Sequence, residues 1–325
     1  MVLFLSEIEV AKLLSMRQAI PLIEDAFEMF ARKRIAVVPR LALNLGGEAG
    51  AFRAMMASVP DLGFFGLKTL TGIPGKRDPK NTYFALLLFD STSGALAAII
   101  AAGHLTVVRT GAAGGVAVKH LARSNSDSLG VLGTGIQARS QVAAVRTVLP
   151  IRRIKICSRR RDEAQNLANE YVREGLDATF SEDLKEVVTK SDVIVCATTA
   201  VEAVIHGDWI QDGTHVNAIG ANSPGKRELD ASAFAGGKVV VDLAEQVCLE
   251  AGDVIDALAT GPLSRSHFQV ELGDVLIGSK QGRTSASDIT IFKSVGPAFL
   301  DIAVGAWIYK EARAQGLGRQ IYFTA

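Results

Sequence analysis

The chain has 325 residues, 48% of them hydrophobic, with 31 glycines and 35 Lys+Arg against 34 Asp+Glu, a formal net charge of +1. Such a length predicts two domains at about 100–200 residues each, and the balanced charge gives no electrostatic footprint for nucleic acid or an anionic membrane, so small molecules are the expected partners. The longest oily stretch, Ala95–Gly103, is about half of what a bilayer-spanning helix needs, which excludes a transmembrane reading.

The N-terminus, MVLFLSEIEV, has no basic n-region and carries Glu7 and Glu9 early. It does not read as a signal peptide, and a cytoplasmic protein is expected. Ser15 and Gln18 stand at capping-box spacing, and Ile20, Ile23, Ala26, Phe27 and Phe30 repeat every three or four residues, which predicts an amphipathic helix from Ser15 to about Lys33. Arg40–Leu45, Ala51–Val59, Phe64–Leu70 and Tyr83–Phe89 are short aromatic and aliphatic segments separated by Gly, Pro, Asp and Asn. They predict a strand-rich, α+β first part.

From about Gly115 the rhythm changes. Val116–Ala122 reads as helix, and the apolar runs Ser128–Leu132, Ile154–Ser158, Val193–Ala197, His215–Ile219 and Lys238–Asp242 follow, with helical stretches Gln137–Leu149, Arg161–Glu174 and Ser181–Thr189 among them. Strands too oily for a one-sided sheet, alternating with helices, predict a doubly wound parallel sheet. After the apolar run Ile289–Phe292, Pro297 opens a helix to about Ala314 that is expected to pack back on the first part. The expected division is therefore 1–115 with 297–325 as one domain and 116–296 as the other.

Gly133-Thr134-Gly135-Ile136-Gln137-Ala138 is a GxGxxA turn between a strand and a helix. Gly133 suits the tight turn, Gly135 lets the backbone approach a pyrophosphate, and Ala138 lets helix and strand pack closely. The anion would sit on the helix N-terminus. About 20 residues on, where an acidic residue would hold the ribose 2′-hydroxyl of NAD, stand Ser158, Arg159 and Arg160. A hydroxyl and guanidinium groups suit a 2′-phosphate, so NADP(H) is the expected cofactor and NAD(H) the alternative; a solvated basic turn is the plainer reading. Gly220–Arg227 has Walker A spacing, but Arg227 occupies the Ser/Thr position that ligates magnesium, which argues against a P-loop. Cys157, Cys196 and Cys248 form no CxxC pair, and the five histidines show no HxxxH or HxH spacing. Neither a disulfide framework nor a metal site is expected.

Val38-Pro39-Arg40, Gly66-Leu67-Lys68, Leu105–Ala113, the GTGIQA turn, His215–Gly220 with Ser223–Asp230, and Ile289–Phe292 together resemble the ornithine cyclodeaminase/mu-crystallin family. That resemblance implies a homodimer with a substrate-binding and dimerisation domain and a Rossmann domain. By position it implies that Arg40, Lys68 and Arg109 bind the carboxylate of an imino or amino acid. It gives Thr82, Arg109, Thr110, Gly135, Ile136, Gln137, Ala218, Ile219, Gly220 and Ser294 as dinucleotide contacts, beside Gly133, Thr134 and Thr198, and Lys68 as proton donor or acceptor. The chemistry agrees, since arginine forks bind a carboxylate bidentately and a lysine in a partly apolar cleft beside two arginines has a lowered pKa. Cyclodeaminases carry an aspartate, the proposed general base, where this chain has Asn222; asparagine takes up no proton. The expected activity is NAD(P)H-dependent imine reduction or amino-acid dehydrogenation, with an ornithine-type cyclodeaminase or a non-catalytic binder of NADP(H) and a small ligand as alternatives.

Overall fold

The computed structural model describes residues 1–45, 51–72 and 82–322. In chain order come β1 (Val2–Leu5), α1 (Glu7–Leu13), α2 (Met16–Ala31), β2 (Ala36–Val37), β3 (Leu41–Asn44), β4 (Ala51–Val59), β5 (Phe64–Gly72), β6 (Thr82–Asp90), β7 (Leu96–Ala101), α3 (Gly103–Leu121), β8 (Ser128–Leu132), α4 (Ile136–Val148) and β9 (Arg153–Cys157). They are followed by α5 (Arg161–Arg173), β10 (Asp177–Phe180), α6 (Leu184–Thr189), β11 (Val193–Cys196), β12 (His215–Ala218), α7 (Ala231–Gly236), β13 (Lys238–Val241), α8 (Ala244–Glu250), α9 (Gly252–Thr260), α10 (Leu272–Leu276), β14 (Thr290–Lys293), α11 (Ala298–Ala314) and β15 (Arg319–Ile321). The chain divides into two compact units, Met1–Arg109 with Pro297–Ala325, and Thr110–Gly296. The division falls inside α3.

The first unit is a mixed sheet in the order β15-β1-β7-β6-β5-β4-β2, with β3 also paired to β4; the strands from β4 to β7 are antiparallel neighbours. Alternation puts Met55, Ala57, Val59, Phe64, Leu86, Leu88, Ala98 and Ile100 on one buried face, against which α11 packs. The rings of Phe27 and Phe30 on α2 meet Phe299 of α11 at 5.7 and 4.8 Å. Gly66 is required there, because a Cβ would come within 2.7 Å of Ile302 Cδ1 and 2.6 Å of the Leu87 carbonyl. The opposite face carries Leu67, Leu87, Phe89 and Ile99, all half-buried, and exposed Phe65. An antiparallel sheet facing water alternates to polar residues instead.

The second unit is a sheet in the order β10-β9-β8-β11-β12-β14-β13, parallel throughout. This is the doubly wound fold, and strand order reverses between β8 and β11, the crevice where such sheets bind ligands. Among the described residues no helix is long and apolar enough to cross a membrane.

Several elements escaped the sequence reading. The oily stretch around Ala95–Gly103 contains β7, which lies between β1 and β6 in the sheet, and the first thirteen residues hold β1 and α1, whose N-cap Ser6 exchanges capping-box hydrogen bonds with Glu9. Helix α3 begins at Gly103, not near Val116. Its Thr106, Val107, Val108, Gly111, Gly114 and Gly115 are poor helix formers; Val108 and the three glycines are buried, and tertiary packing there overrides that preference.

Candidate active site

At the carboxyl end of β8, Gly133 adopts φ 106°, and a Cβ on it would lie 2.6 Å from the Ala197 carbonyl just past β11. Only glycine lets these two strand ends approach so closely. The next glycine, Gly135, is the N-cap of α4 and makes no side-chain cap, while a Cβ there would meet nothing within 4 Å. The first amides of α4 thus face open space with their dipole, the arrangement that receives a phosphate. Beside them the Gln137 Oε1 is buried and has no hydrogen-bond partner among the described residues, and Ile136 is 59% exposed. This cradle fits the pyrophosphate of a dinucleotide.

Thr134 is buried and its hydroxyl donates to Glu163 Oε2 at 2.9 Å. The same carboxylate pairs with Arg160, and Arg161 pairs with Glu182 at 2.6 Å. Ser158 Oγ accepts from the Arg160 amide at 3.2 Å, closing the turn. Arg159 is exposed and has no ion-pair partner among the described residues. The basic tip is therefore one available guanidinium and one held in place by Glu163.

Across the crevice, Glu228 is fully buried and was not among the sequence-derived candidates. Its Oε1 accepts from the Thr198 amide at 2.6 Å and the Thr198 hydroxyl at 2.9 Å, and its Oε2 from the amides of Gly220 at 2.6 Å and Ala221 at 3.1 Å. One carboxylate thereby ties the segments following β11 and β12, which hold Thr198, Ile219 and Gly220, with Ala218 closing β12. Burial pushes its pKa up, against the opposing pull of Lys293 and the Thr198 amide. Asn222 Oδ1 accepts from Lys226 Nζ at 3.1 Å within the same loop. Ser294 is buried and its hydroxyl donates to Asp242 Oδ2 at 2.7 Å. Thr110 is buried on α3, its carbonyl accepting from Gln141 Nε2 at 2.8 Å. The side chain of Thr82 lies outside the described residues.

In the first unit, β5 alternation turns Lys68 onto the helix-covered face, where it is fully buried. Its Nζ donates to Asp301 Oδ1 at 2.6 Å, and Arg109 Nε donates to the same oxygen at 2.9 Å. Thr106 Oγ1 lies 3.4 Å from the lysine, and the Phe84 ring centroid 6.0 Å away. Burial is the main cause that brings the Lys68 pKa down to about 7; Arg109 and Arg40 push the same way and Asp301 opposes them. Lys68 and Arg109, two of the positions the resemblance gives as carboxylate binders, thus share one oxygen of Asp301, Arg40 acts on Lys68 through its charge, and Asp301 is a partner not among the candidates read from the sequence. Its signal was present: it is the one carboxylate in the apolar run Ala298–Ile308.

The ornithine cyclodeaminase/mu-crystallin family pattern matches residues 1–316. An alanine dehydrogenase of Archaeoglobus fulgidus is 36% identical over 323 residues, 99% of this chain and 98% of that protein. Among solved structures, the Δ1-pyrroline-2-carboxylate reductase of Thermococcus litoralis in complex with NADH and L-proline superposes with a TM-score of 0.94 at 33% identity, covering 98% of this chain and all of that one. An archaeal alanine dehydrogenase dimer with bound NAD gives a TM-score of 0.93 at 35% identity, with 99% of each chain covered.

Proposed function

From the premise that this chain belongs to the ornithine cyclodeaminase/mu-crystallin family, we propose that it is an NAD(P)H-dependent imine reductase or amino-acid dehydrogenase, interconverting an α-imino acid and the L-amino acid. The observation that carries this reading is Lys68, buried between Arg109 and Asp301 with a pKa near 7. An acid–base group is most effective when its pKa lies near the working pH.

Arg109 meets Asp301 through Nε, so its Nη1–Nη2 edge is the one that presents two parallel donors to a substrate carboxylate. Arg40 adds a second cation to that grip. Lys68 Nζ gives its proton to the imine nitrogen as Cα is reduced, and in the reverse direction takes it back. When bound, the nicotinamide supplies or accepts the hydride at Cα. Gly133, Gly135 and the first amides of α4 would hold its pyrophosphate, with Thr198 and Ala218–Gly220 as further dinucleotide contacts. Reduction needs no carboxylate at position 222, whereas the cyclodeaminase reading does, and Asn222 there is hydrogen-bonded to Lys226.

Exposed Arg159 beside Ser158 favours NADP(H) over NAD(H). The half-exposed apolar face of the first unit's sheet suits a second copy of the chain, so the working form is a homodimer. Three free, buried cysteines fit a reducing compartment such as the cytoplasm. The test follows absorbance of reduced nicotinamide with purified protein, NADPH and NADH in parallel, against cyclic imino acids and α-keto acids plus ammonia or methylamine. Consumption with any imine is the expected result; proline and ammonia from ornithine with NAD, and no net consumption of reduced cofactor, would replace it with the cyclodeaminase reading.

A further inference from the structure

We infer that Asp301 is the positioning residue of the reaction: its Oδ1 holds Lys68 as proton carrier and Arg109 as carboxylate fork. The inference rests on the imine-reductase reading for its kinetic consequence, though not for its direct test.

The geometry is that of one oxygen shared by two cations. Lys68 Nζ at 2.6 Å and Arg109 Nε at 2.9 Å converge on Oδ1 from β5 and α3, while the carboxylate comes from α11. None of the three side chains is more than 5% exposed. An ion pair so buried strongly fixes the placement of its members, since breaking it leaves an uncompensated charge in the interior. The second oxygen is open to a ligand. Asp301 Oδ2 is buried with no hydrogen-bond partner among the described residues, whereas the large majority of buried side-chain oxygens have one. A site that a ligand's N–H donor completes leaves such an acceptor open.

The charges around Lys68 decide the direction of the effect. Arg109 on α3 and Arg40 before β3 repel its ammonium, burial disfavours it, and Asp301 on α11 is the group that stabilises it; Thr106 and the Phe84 ring are its uncharged neighbours. Neutralising Asp301 therefore drops the Lys68 pKa further below the ordinary lysine value. Opposite charges at hydrogen-bond distance shift a pKa by about 1–3 units.

The experiment compares wild type with Asp301→Asn, with Asp301→Ser as a second neutral variant should the first not fold, and Asp301→Glu as the charge-conserving rescue. Titration of 15Nζ-labelled lysine by NMR reads Lys68 directly, its resonance identified by its loss in Lys68→Met. The neutral variants are expected to titrate at least about one pH unit lower, and Asp301→Glu to return toward wild type. In kinetics, the Lys68 limb of the pH–kcat profile moves by the same amount, KM for the imino acid rises as Arg109 loosens, and KM for the nicotinamide cofactor stays. A Lys68 titration unchanged in the neutral variants overturns the inference, as does a loss of kcat with the pH limb in place. Wild-type protein that turns over no imine overturns the reductase reading alone, because the NMR titration still decides this one.

Discussion

In the second unit the proposed cofactor surface is mostly main chain: Gly133 in a left-handed conformation, the uncapped amides of α4, and strand ends held by Glu228. In the first unit it is side chains that meet from positions 68, 109 and 301, on a strand and two helices. Backbone recognition needs small residues at fixed spacing along one stretch of chain. Side-chain recognition needs only that the fold bring distant residues to one point. The two are therefore encoded at different ranges, and they should fail differently when mutated.

The largest effect is expected from the side-chain centre. Lys68→Met removes the proposed proton carrier, and turnover should fall about a hundred- to ten-thousand-fold, while cofactor binding, followed by quenching of protein fluorescence, persists. If turnover survives, water carries the proton and Lys68 serves the carboxylate alone. The wild-type pH dependence sharpens the same point. With the Lys68 pKa down to about 7, the ammonium needed for reduction is lost as pH rises through that value, so the reductive rate falls. The oxidative direction needs the neutral amine and should rise over the same range. Initial rates in both directions from pH 5 to 9 check this, and limbs that run parallel instead of opposed would assign the titration to another group.

What the sequence made legible follows the same division. The glycine turn, the helix after it and the five oily strands are each local, so period and spacing were enough to place β8, β9, β11, β12 and β13 within a residue or two. The Ser15–Gln18 capping box likewise starts α2 where the pattern says. Lys68 and Arg109 are singled out only by a resemblance, since nothing near either in the chain marks it as buried. Asp301 was missed because its partners lie 233 and 192 residues away, and Glu228 because three of its four partners are main-chain amides, those of Thr198, Gly220 and Ala221, which carry no side-chain signature. The start of helix α3 is not legible locally because its first amides, those of Gly103 and His104, donate to the Glu7 carboxylate almost a hundred residues earlier in the chain.

The main-chain surface offers a paired test. Gly133→Ala forces a Cβ against the Ala197 carbonyl at a left-handed φ, and should cost about 1–3 kcal/mol of stability as well as cofactor affinity. Gly135→Ala meets nothing in the protein itself, so its Tm should hold while KM for the dinucleotide rises about ten- to a hundredfold, the methyl standing where a phosphate approaches. Thermal melts with cofactor titrations separate the two. Equal losses of Tm would mean that the open space at Gly135 is structural and not a phosphate seat.

The smallest effect tests the part of the second unit that relies on a side chain after all. Of the two guanidinium groups at the tip of β9, Arg160 is paired with Glu163, which also receives the Thr134 hydroxyl; a 2′-phosphate would have to compete with that carboxylate for it. Arg159 is exposed with no ion pair among the described residues, and so can meet the phosphate without giving anything up. Arg159→Ala should raise KM for NADPH by about three- to tenfold, a modest change because an exposed charge is screened, and leave KM for NADH where it was. Arg160→Ala should change the ratio less. A loss shared equally by both cofactors would show that the arginines steer any dinucleotide by charge, and an NADPH-to-NADH ratio near one in the wild type would place this chain's adenosine end with the NAD-bound structures it resembles.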